Sequence, residues 1–562
     1  MSPSKGARAA GAVLALAAAV SVSACGSTGT GSGSPGDARS QQGSTSGQGD
    51  RSAATPATSP SPTRSYPLST PPRGIPSVRK HEAARGPGWK PASNSGVVIA
   101  KGSDGLADEG KLLAKELKIA YRGAVAARAG DVELALKSGS GSPESYTLTT
   151  SGGRVRITGP DQAGVFYGTR TLKQSVRADG VLPEGVVRDS PARPQRGLNL
   201  DIARKYYTPG WIEARMREMA DLKLNQLGLH FSDDQGFRIE STTHPEIVSP
   251  QHLSKADVRR ILALGDQLHI TVVPEIDSPG HLGAVLRAYP SLQLRNVNGV
   301  ATKGAIDISQ PAAAKLIDEL DREFAQLFKG PYWNLGADEY QALVVPNPEA
   351  SYPKLAKLAV QKYGPNGTLQ DLTTAWTNDR AAALAPYKKK FKVWNDGLFR
   401  GGVVKADPDL EVQYWTGREI GARPPVEYLN EGRKVVNFND EYLYYVLGQP
   451  NNFIYPTGKR IYEQWTPLVL RGTTPVPERY SKQIQGGLFA VWGDFPNAQT
   501  QDQVANGIRL PLAALSQKVW NPAEPTLSWS AGTWVRFPDG TSAACTTSRS
   551  YRFTQPPNPT FS

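Results

Sequence analysis

From Pro194 onward, short apolar runs recur along the chain at 197–203, 225–232, 271–277, 332–339, 390–396, 411–416, 434–440 and 486–494. Each run ends in polar or aromatic residues, and most are followed by sequence of helical period. Eight apolar strands alternating with helices are what a (β/α)₈ TIM barrel requires. In that fold, chemistry sits at the C-terminal strand ends and is contributed by several strands at once. Asp201, Asp233, Asp234, Asp277, Asp338, Glu339, Trp394, Asp396, Trp415, Trp492 and Asp494 all fall at such ends. An open doubly wound sheet competes for the same pattern, but no glycine-rich phosphate loop follows a strand. Ahead of the barrel, strand-like runs at 97–100, 132–136, 145–149 and 154–157 flank helical stretches at 109–117 and 163–174. These predict a small α+β domain with an antiparallel sheet.

Composition divides the rest. Residues 26–80 are Gly, Ser, Thr, Pro and Gln with few large apolar side chains, too few to offset ordering entropy. The expected organisation is therefore a signal segment over 1–24 and a flexible tether over 25–85. An α+β domain over 86–192, a catalytic barrel over 193–522 and a C-terminal extension over 523–562 follow. Lys5 and Arg8 precede an apolar run over 9–20, too short to span a bilayer, which ends in Val22-Ser23-Ala24-Cys25. That arrangement resembles a bacterial lipoprotein signal, with Cys25 lipidated. Export is expected, as a cell-surface lipoprotein or a secreted protein, with membrane contact through the lipid anchor only. Cys25 and Cys545 are the two cysteines of the 562 residues, so neither a disulfide framework nor a cysteine metal site is available. The net charge of +13 raises nucleic acid as a partner. No basic block with interleaved aromatics supports it, and solvated basic faces are the expected reading.

The candidate chemistry centres on Asn334-Leu335-Gly336-Ala337-Asp338-Glu339. Adjacent carboxylates on a continuing strand point to opposite sides, whereas a bend can bring both into one pocket. Close carboxylates also resist simultaneous ionisation, which helps keep one protonated as a general acid. In Pro274-Glu275-Ile276-Asp277-Ser278-Pro279-Gly280-His281, two prolines and a glycine predict a rigid turn holding Asp277 and His281. Two such ligands do not make a metal site, and no metal or cofactor is expected. His230 and His244 are expected to be structural. Arg196, opening the first strand in Arg196-Gly197-Leu198-Asn199-Leu200-Asp201, offers a guanidinium able to grip sugar hydroxyls or a carboxylate.

Taken in order, the arginine-led first strand, Ser232-Asp233-Asp234-Gln235-Gly236-Phe237-Arg238, the 274–281 segment, Gly336-Ala337-Asp338-Glu339 and Val491-Trp492-Gly493-Asp494 resemble glycoside hydrolase family 20, the β-N-acetylhexosaminidase family. The resemblance covers roughly residues 90–520. No Asp-x-x-Asp-x-Asp-x-Glu stretch occurs, which argues against the chitinase barrels that share the chemistry. The resemblance implies a retaining, substrate-assisted mechanism in which the 2-acetamido oxygen attacks C1 and no enzyme carboxylate is the nucleophile. Glu339 would be acid and then base, Asp338 would orient the acetamido N–H, and Tyr442 would bind the acetamido oxygen. Trp376, Trp394 and Trp492 would wall the sugar pocket, with Trp415 as a further contact. Asp234, Asp277 and His281 would orient the acid pair from behind.

Exo-acting members commonly carry Tyr-Leu-Asp after the seventh strand and Trp-x-Glu at the eighth, two acids that hold hydroxyls of a terminal sugar. Here those positions read Tyr444 and Asp494. The weaker clamp resembles the lacto-N-biosidase branch, which releases Galβ1-3GlcNAc from an oligosaccharide or glycoconjugate. An exo-β-N-acetylhexosaminidase with altered hydroxyl contacts is the alternative. A lipid-anchored, non-catalytic glycan-binding protein would have no need of the adjacent acid pair.

Overall fold

The structure is a computed structural model that describes residues 65–419 and 422–523. The expected signal segment, Cys25 and most of the tether and C-terminal extension lie outside the described residues.

Eight parallel strands pair in sequence order: Gln195–Asp201, Gln226–His230, Thr271–Glu275, Tyr332–Asn334, Lys390–Trp394, Glu411–Tyr414, Val435–Asn437 and Ile484–Trp492. The eighth pairs back onto the first and closes the TIM barrel. Several outer helices are started by side chains that bond their own first turn. Thr208 accepts from Trp211 N–H, while Ser254 with Asp257, Thr368 with Asp371 and Thr500 with Gln503 form capping boxes. The eighth strand is nine residues long. Its lower half pairs with the seventh strand, and its upper half pairs with a short strand, Tyr444–Val446, with Tyr444 opposite Ala490 and Val446 opposite Trp492. That extension raises one side of the barrel mouth.

The preceding domain has a seven-stranded sheet, and here the antiparallel expectation is corrected. The order is Lys80–Ala83, Gly185–Asp189, Tyr146–Ser151, Arg154–Gly159, Val132–Leu136, Gly96–Ile99, Ala120–Gly123. The first four strands are antiparallel and the remaining pairings are parallel, so the sheet is mixed. Parallel neighbours arise because helix Ala107–Leu117 returns the chain to the same end of the sheet between two of them. Residues 65–85, expected within the tether, are instead part of the folded domain. Within 65–85, Ile75 is buried with its N–H on Gln174 Oε1, and Lys80–Ala83 forms the edge strand against Gly185–Arg188. Pro- and Ser-rich sequence carries no periodicity, so only these long-range bonds reveal its place.

Helix Gln162–Asp179, capped by Asp161 and closed at Gly180 (φ 71°), covers the sheet on one side and faces the barrel on the other. Its Arg170 and Lys173 share Asp221, at the end of the first barrel helix, with Glu116. Beside them, Lys223 Nζ meets Tyr146 Oη at 3.0 Å and Asp189 Oδ2 at 3.2 Å, and Trp520 Nε1 donates to Asp189 Oδ1 at 3.0 Å. All four groups are buried, and these bonds join them to one another.

Arg196 belongs to this interface, and the expectation that it grips sugar is corrected. It opens the first strand, so it lies at the base of the barrel, the end opposite the mouth. Its side chain is wholly buried, pairs with Glu144 at 2.8 Å, donates to Lys223 O at 3.0 Å and lies over the rings of Tyr167 and Trp520. Removing the partner of a buried guanidinium leaves its desolvation uncompensated. Glu144→Ala is therefore expected to lower unfolding free energy by about 3–5 kcal/mol in denaturant titration. The folded fraction should retain its KM, because the pair is remote from the mouth.

Candidate active site

The loop after the fourth strand supplies the acid pair. A strand continuing through 335–339 would send Asp338 and Glu339 to opposite faces. Instead Gly336 (φ 68°), Ala337 (φ 77°) and Glu339 (φ 47°) all take left-handed backbone, and both carboxylates reach one cavity. Gly336 is required there, since a Cβ would meet Asp277 Oδ1 at 1.8 Å. The non-glycine residues in this turn carry a conformational cost of order 1–3 kcal/mol each, which the surroundings must offset. Two buried carboxylates do so: Asp277 Oδ1 accepts the Ala337 N–H at 2.8 Å, and Asp396 Oδ2 accepts the Glu339 N–H at 3.1 Å.

His281 sits at the centre. Its Nδ1 is 3.4 Å from Asp233, and its Nε2 is 3.4 Å from Glu339, 3.6 Å from Asp338 and 4.0 Å from Asp277. Burial pushes the imidazole pKa down, but Asp233, Asp338 and Glu339 outweigh it and hold it well above the usual range. Burial followed by the Asp338 charge drives Asp277 well above the carboxylate range. Burial also raises Asp338, and His281 offsets part of that rise. For Glu339 burial is outweighed by the His281 hydrogen bond and charge, which leave it below its ordinary value. The two adjacent acids are thus pushed apart, Asp338 toward the neutral form and Glu339 toward the ionised one, the reverse of the order that a Glu339 acid beside an ionised Asp338 calls for. Asp277, His281 and Asp338 bring ligand atoms within 4.8 Å of one another. A protonated imidazole already occupies the place a cation would take.

Around this centre the cavity, about 330 Å³, is lined by Arg204, His230, Trp415, Tyr444, Val446, Phe453, Trp492 and Asp494, among others. Trp415 and Tyr444 are stacked (5.6 Å, 4°), and Phe453 continues the stack on Tyr444 (6.2 Å, 23°). Trp492 meets Tyr444, Trp394 and His230. His230 bridges Glu275 Oε1 (3.0 Å) and Asp233 Oδ2 (2.7 Å), and Trp394 Nε1 donates to the same Glu275 oxygen at 2.8 Å. His230 is thus both structural and exposed to the cavity, whereas His244 lies elsewhere, against Tyr289 and Glu246.

Several residues expected from the sequence change place. Tyr442 is 1% exposed, lies under the Arg460 guanidinium at 4.5 Å and does not line the cavity. A turn begins at Asn439, whose O and Oδ1 accept the Tyr442 and Glu441 N–H groups, so strand alternation starts afresh at Tyr444. Tyr444 and Val446 then face the cavity, while Tyr445 points away to Gln499. Tyr444, rather than Tyr442, thus lines the cavity, with Val446 beside it. Asp234 is turned away, accepting the Gly283 N–H at 3.0 Å; its neighbour Asp233 faces His230, His281 and Arg204. Trp376 is buried behind the acid turn, its Nε1 on Ser278 Oγ and its ring under Arg380. Trp394 underlies the wall rather than forming its surface.

The Arg204 and Arg418 guanidinium groups both line the cavity, and sequence reasoning missed them; Arg204 is the one beside the acid cluster. It pairs with Asp201 (3.0 Å) and Asp233 (2.8 Å), lies over Trp492 at 5.6 Å and feels the charge of Asp494. Its position three residues past the end of the first strand was the available signal, since function gathers at that end.

The amino-acid sequence matches the family model described as glycosyl hydrolase family 20, catalytic domain, over residues 194–523, and that family's domain 2 over 72–190. It is 28% identical over 439 residues to a lacto-N-biosidase of Bifidobacterium bifidum, a match covering 76% of this chain and 38% of that protein. It is 27% identical over 426 residues to a β-hexosaminidase of Vibrio furnissii, covering 66% of this chain and 64% of the relative. The fold is similar to that of a Vibrio harveyi exo-β-N-acetylglucosaminidase solved with N-acetylglucosamine, at a TM-score of 0.67 and 20% identity, covering 84% of this chain and 77% of the other. Both domain models match in order around a barrel mouth that carries the acid pair, and the chain belongs to glycoside hydrolase family 20.

Proposed function

We propose that the protein is a retaining glycosidase acting on β-linked N-acetylhexosaminides, with the substrate's own acetamido group as nucleophile. The observation that carries this reading is the left-handed turn that delivers Asp338 and Glu339 into one aromatic-walled cavity. Glu339 protonates the leaving oxygen and then activates water; its side chain is 36% exposed, open enough to meet both. Asp338 accepts the acetamido N–H and stabilises the positive oxazolinium. Burial raises Asp338 and His281 offsets only part of that rise, so a further positive charge that develops beside it at the transition state favours its ionised form. The Tyr444 hydroxyl takes the role of binding the acetamido oxygen, and the indole of Trp492 offers a face for the sugar's C–H surface.

For the sugar released we favour the disaccharide Galβ1-3GlcNAc. The raised wall presents Tyr444, Val446 and Phe453; of the further acids that line the cavity, Asp494 acts on Arg204, and Glu419 and Asp440 lie near Arg418. An apolar wall leaves no carboxylate stranded when a hydroxyl is substituted, so a second sugar costs little there. Similarity to a lacto-N-biosidase is consistent with this. Release of single N-acetylhexosamine residues is the second reading, favoured by Arg204 and Asp494, which together can grip a terminal ring, and by similarity to hexosaminidases.

Glu339→Gln is expected to slow hydrolysis of unactivated glycans by ~10²–10⁴-fold, measured by product release. A 2-hydroxy substrate analogue should be inert with the wild type, since it lacks the nucleophile. For pH dependence the sign follows from His281. Its charge holds the Glu339 pKa down, so His281→Gln should raise that pKa. An acid must be protonated to act, and the alkaline limb of the kcat/KM profile should therefore move to higher pH, at lower overall rate. Specificity is read by comparing aryl lacto-N-bioside with aryl β-GlcNAc. The wild type should prefer the former and yield intact disaccharide by mass spectrometry. Val446→Asp, which restores an acid to the wall, should shift the kcat/KM ratio about 10-fold toward the monosaccharide. Release of only single residues by the wild type would establish the second reading.

A further inference from the structure

Asp396 has no part in the chemistry proposed above, yet it is 3% exposed and lies within the site. It follows the fifth strand in the turn Asn395–Gly397. Its two oxygens face different elements. Oδ1 accepts the indole N–H of Trp415 at 2.8 Å, and Oδ2 accepts the backbone N–H of Glu339 at 3.1 Å. The turn that carries it is itself tightly held. Asn395 Oδ1 accepts the Trp415 N–H at 2.9 Å, Asn395 Nδ2 donates to Thr416 O at 2.8 Å, and Tyr428 Oη donates to Asn395 O at 2.6 Å. Gly397 presses on the acid turn so closely that a Cβ would stand 2.3 Å from Ala337 O.

The arrangement joins two parts of the site with different tasks. Trp415 is stacked on Tyr444 and forms cavity surface against which a sugar can rest. Glu339 stands on left-handed backbone, a conformation a glutamate does not hold without external bonds. Its N–H is the group that must stay in place for the carboxyl to be aimed. A carboxylate with one oxygen on each element couples their positions without touching the substrate.

We propose that Asp396 is a positioning residue that ties the Trp415 wall to the backbone of Glu339, so that a sugar seated on the wall aims the acid. The proposal rests on the reading of Glu339 as general acid. It assigns Trp415 a second role, through its N–H, beyond the contact its ring provides.

The test uses Asp396→Asn, Trp415→Phe, the double variant and Glu339→Gln on aryl β-glycosides of graded leaving-group acidity. Trp415→Phe keeps an aromatic ring and removes the N–H donor together with part of the wall surface, a loss of contact that falls equally on all leaving groups; it also leaves the carboxylate in place should Asp396→Asn fold poorly, which thermal melting would reveal. The expected result is a kcat/KM loss of ~10–100-fold for poor leaving groups in Asp396→Asn. That loss should shrink as the leaving group improves, while the affinity for free N-acetylglucosamine stays within about 3-fold. Trp415→Phe should show the same trend more weakly, and the double variant should be no worse than Asp396→Asn alone, as members of one chain of contacts behave. A loss equal across all leaving groups, or penalties that simply add, overturns the proposal while leaving Glu339 in its role if Glu339→Gln keeps its leaving-group dependence. A Glu339→Gln variant indifferent to leaving group removes the acid assignment, and the proposal falls with it.

Discussion

The positive charge of His281 is what lets the rest of the site exist. Asp233, Asp277, Asp338 and Glu339 all stand within 4.0 Å of its ring nitrogens, and few of their oxygens meet water. Several buried carboxylates so close would drive each other to protonate. With one imidazolium among them the outcome is graded. Asp277 is driven well above the carboxylate range, Asp338 is raised and Glu339 is lowered. Asp233 is also held down, since burial is outweighed there by His281 and Arg204. The site therefore contains carboxyls whose ionisation is graded by their distance from His281 and by burial.

The turn bearing the acid pair is costly in itself and is held from both sides. Asp277 takes the N–H before the pair and Asp396 the N–H within it. These bonds come from the third and fifth strands, the neighbours of the strand that carries the turn. Only a closed, rigid barrel keeps three strand ends in that relation, and the pocket inherits its precision from the barrel. Rigidity at the base has its own source. The sheet domain packs against it through Arg170, Lys173, Arg196 and Lys223, each satisfied by carboxylates or carbonyls across the interface.

One wall of the cavity is set on a different part of the molecule. The long eighth strand extends past its barrel neighbours and takes on Tyr444–Val446 as a partner. Pairing with that strand selects which side chains of the segment face the cavity. One residue of slip would exchange Tyr444 and Val446 for Tyr445, replacing an aromatic and apolar wall with a different one.

How much was legible in the sequence follows from the range of the forces involved. The eight barrel strands were readable because each is an apolar run bounded by helix signals, a local pattern, and the acid pair because it directly follows such a run. Cys25 and the leader reading rest on sequence alone. What failed was orientation. Arg196 and Arg204 flank the same strand, and which one meets the cavity depends on which end of the barrel is open. Asp233 and Asp234 are neighbours whose directions are set by bonds to His281 and to Gly283, 48 and 49 residues away. Tyr442 and Tyr444 exchange places because a turn at Asn439 resets the alternation, and the bonds that hold that turn, to the Asn439 carbonyl and side-chain oxygens, leave no mark on the hydrophobic pattern. The sequence by itself determined which elements form and which residue types gather at their ends, since both follow from short-range periodicity. Only the tertiary structure decided which side chains face the cavity, because that choice is made by contacts between segments far apart in the chain.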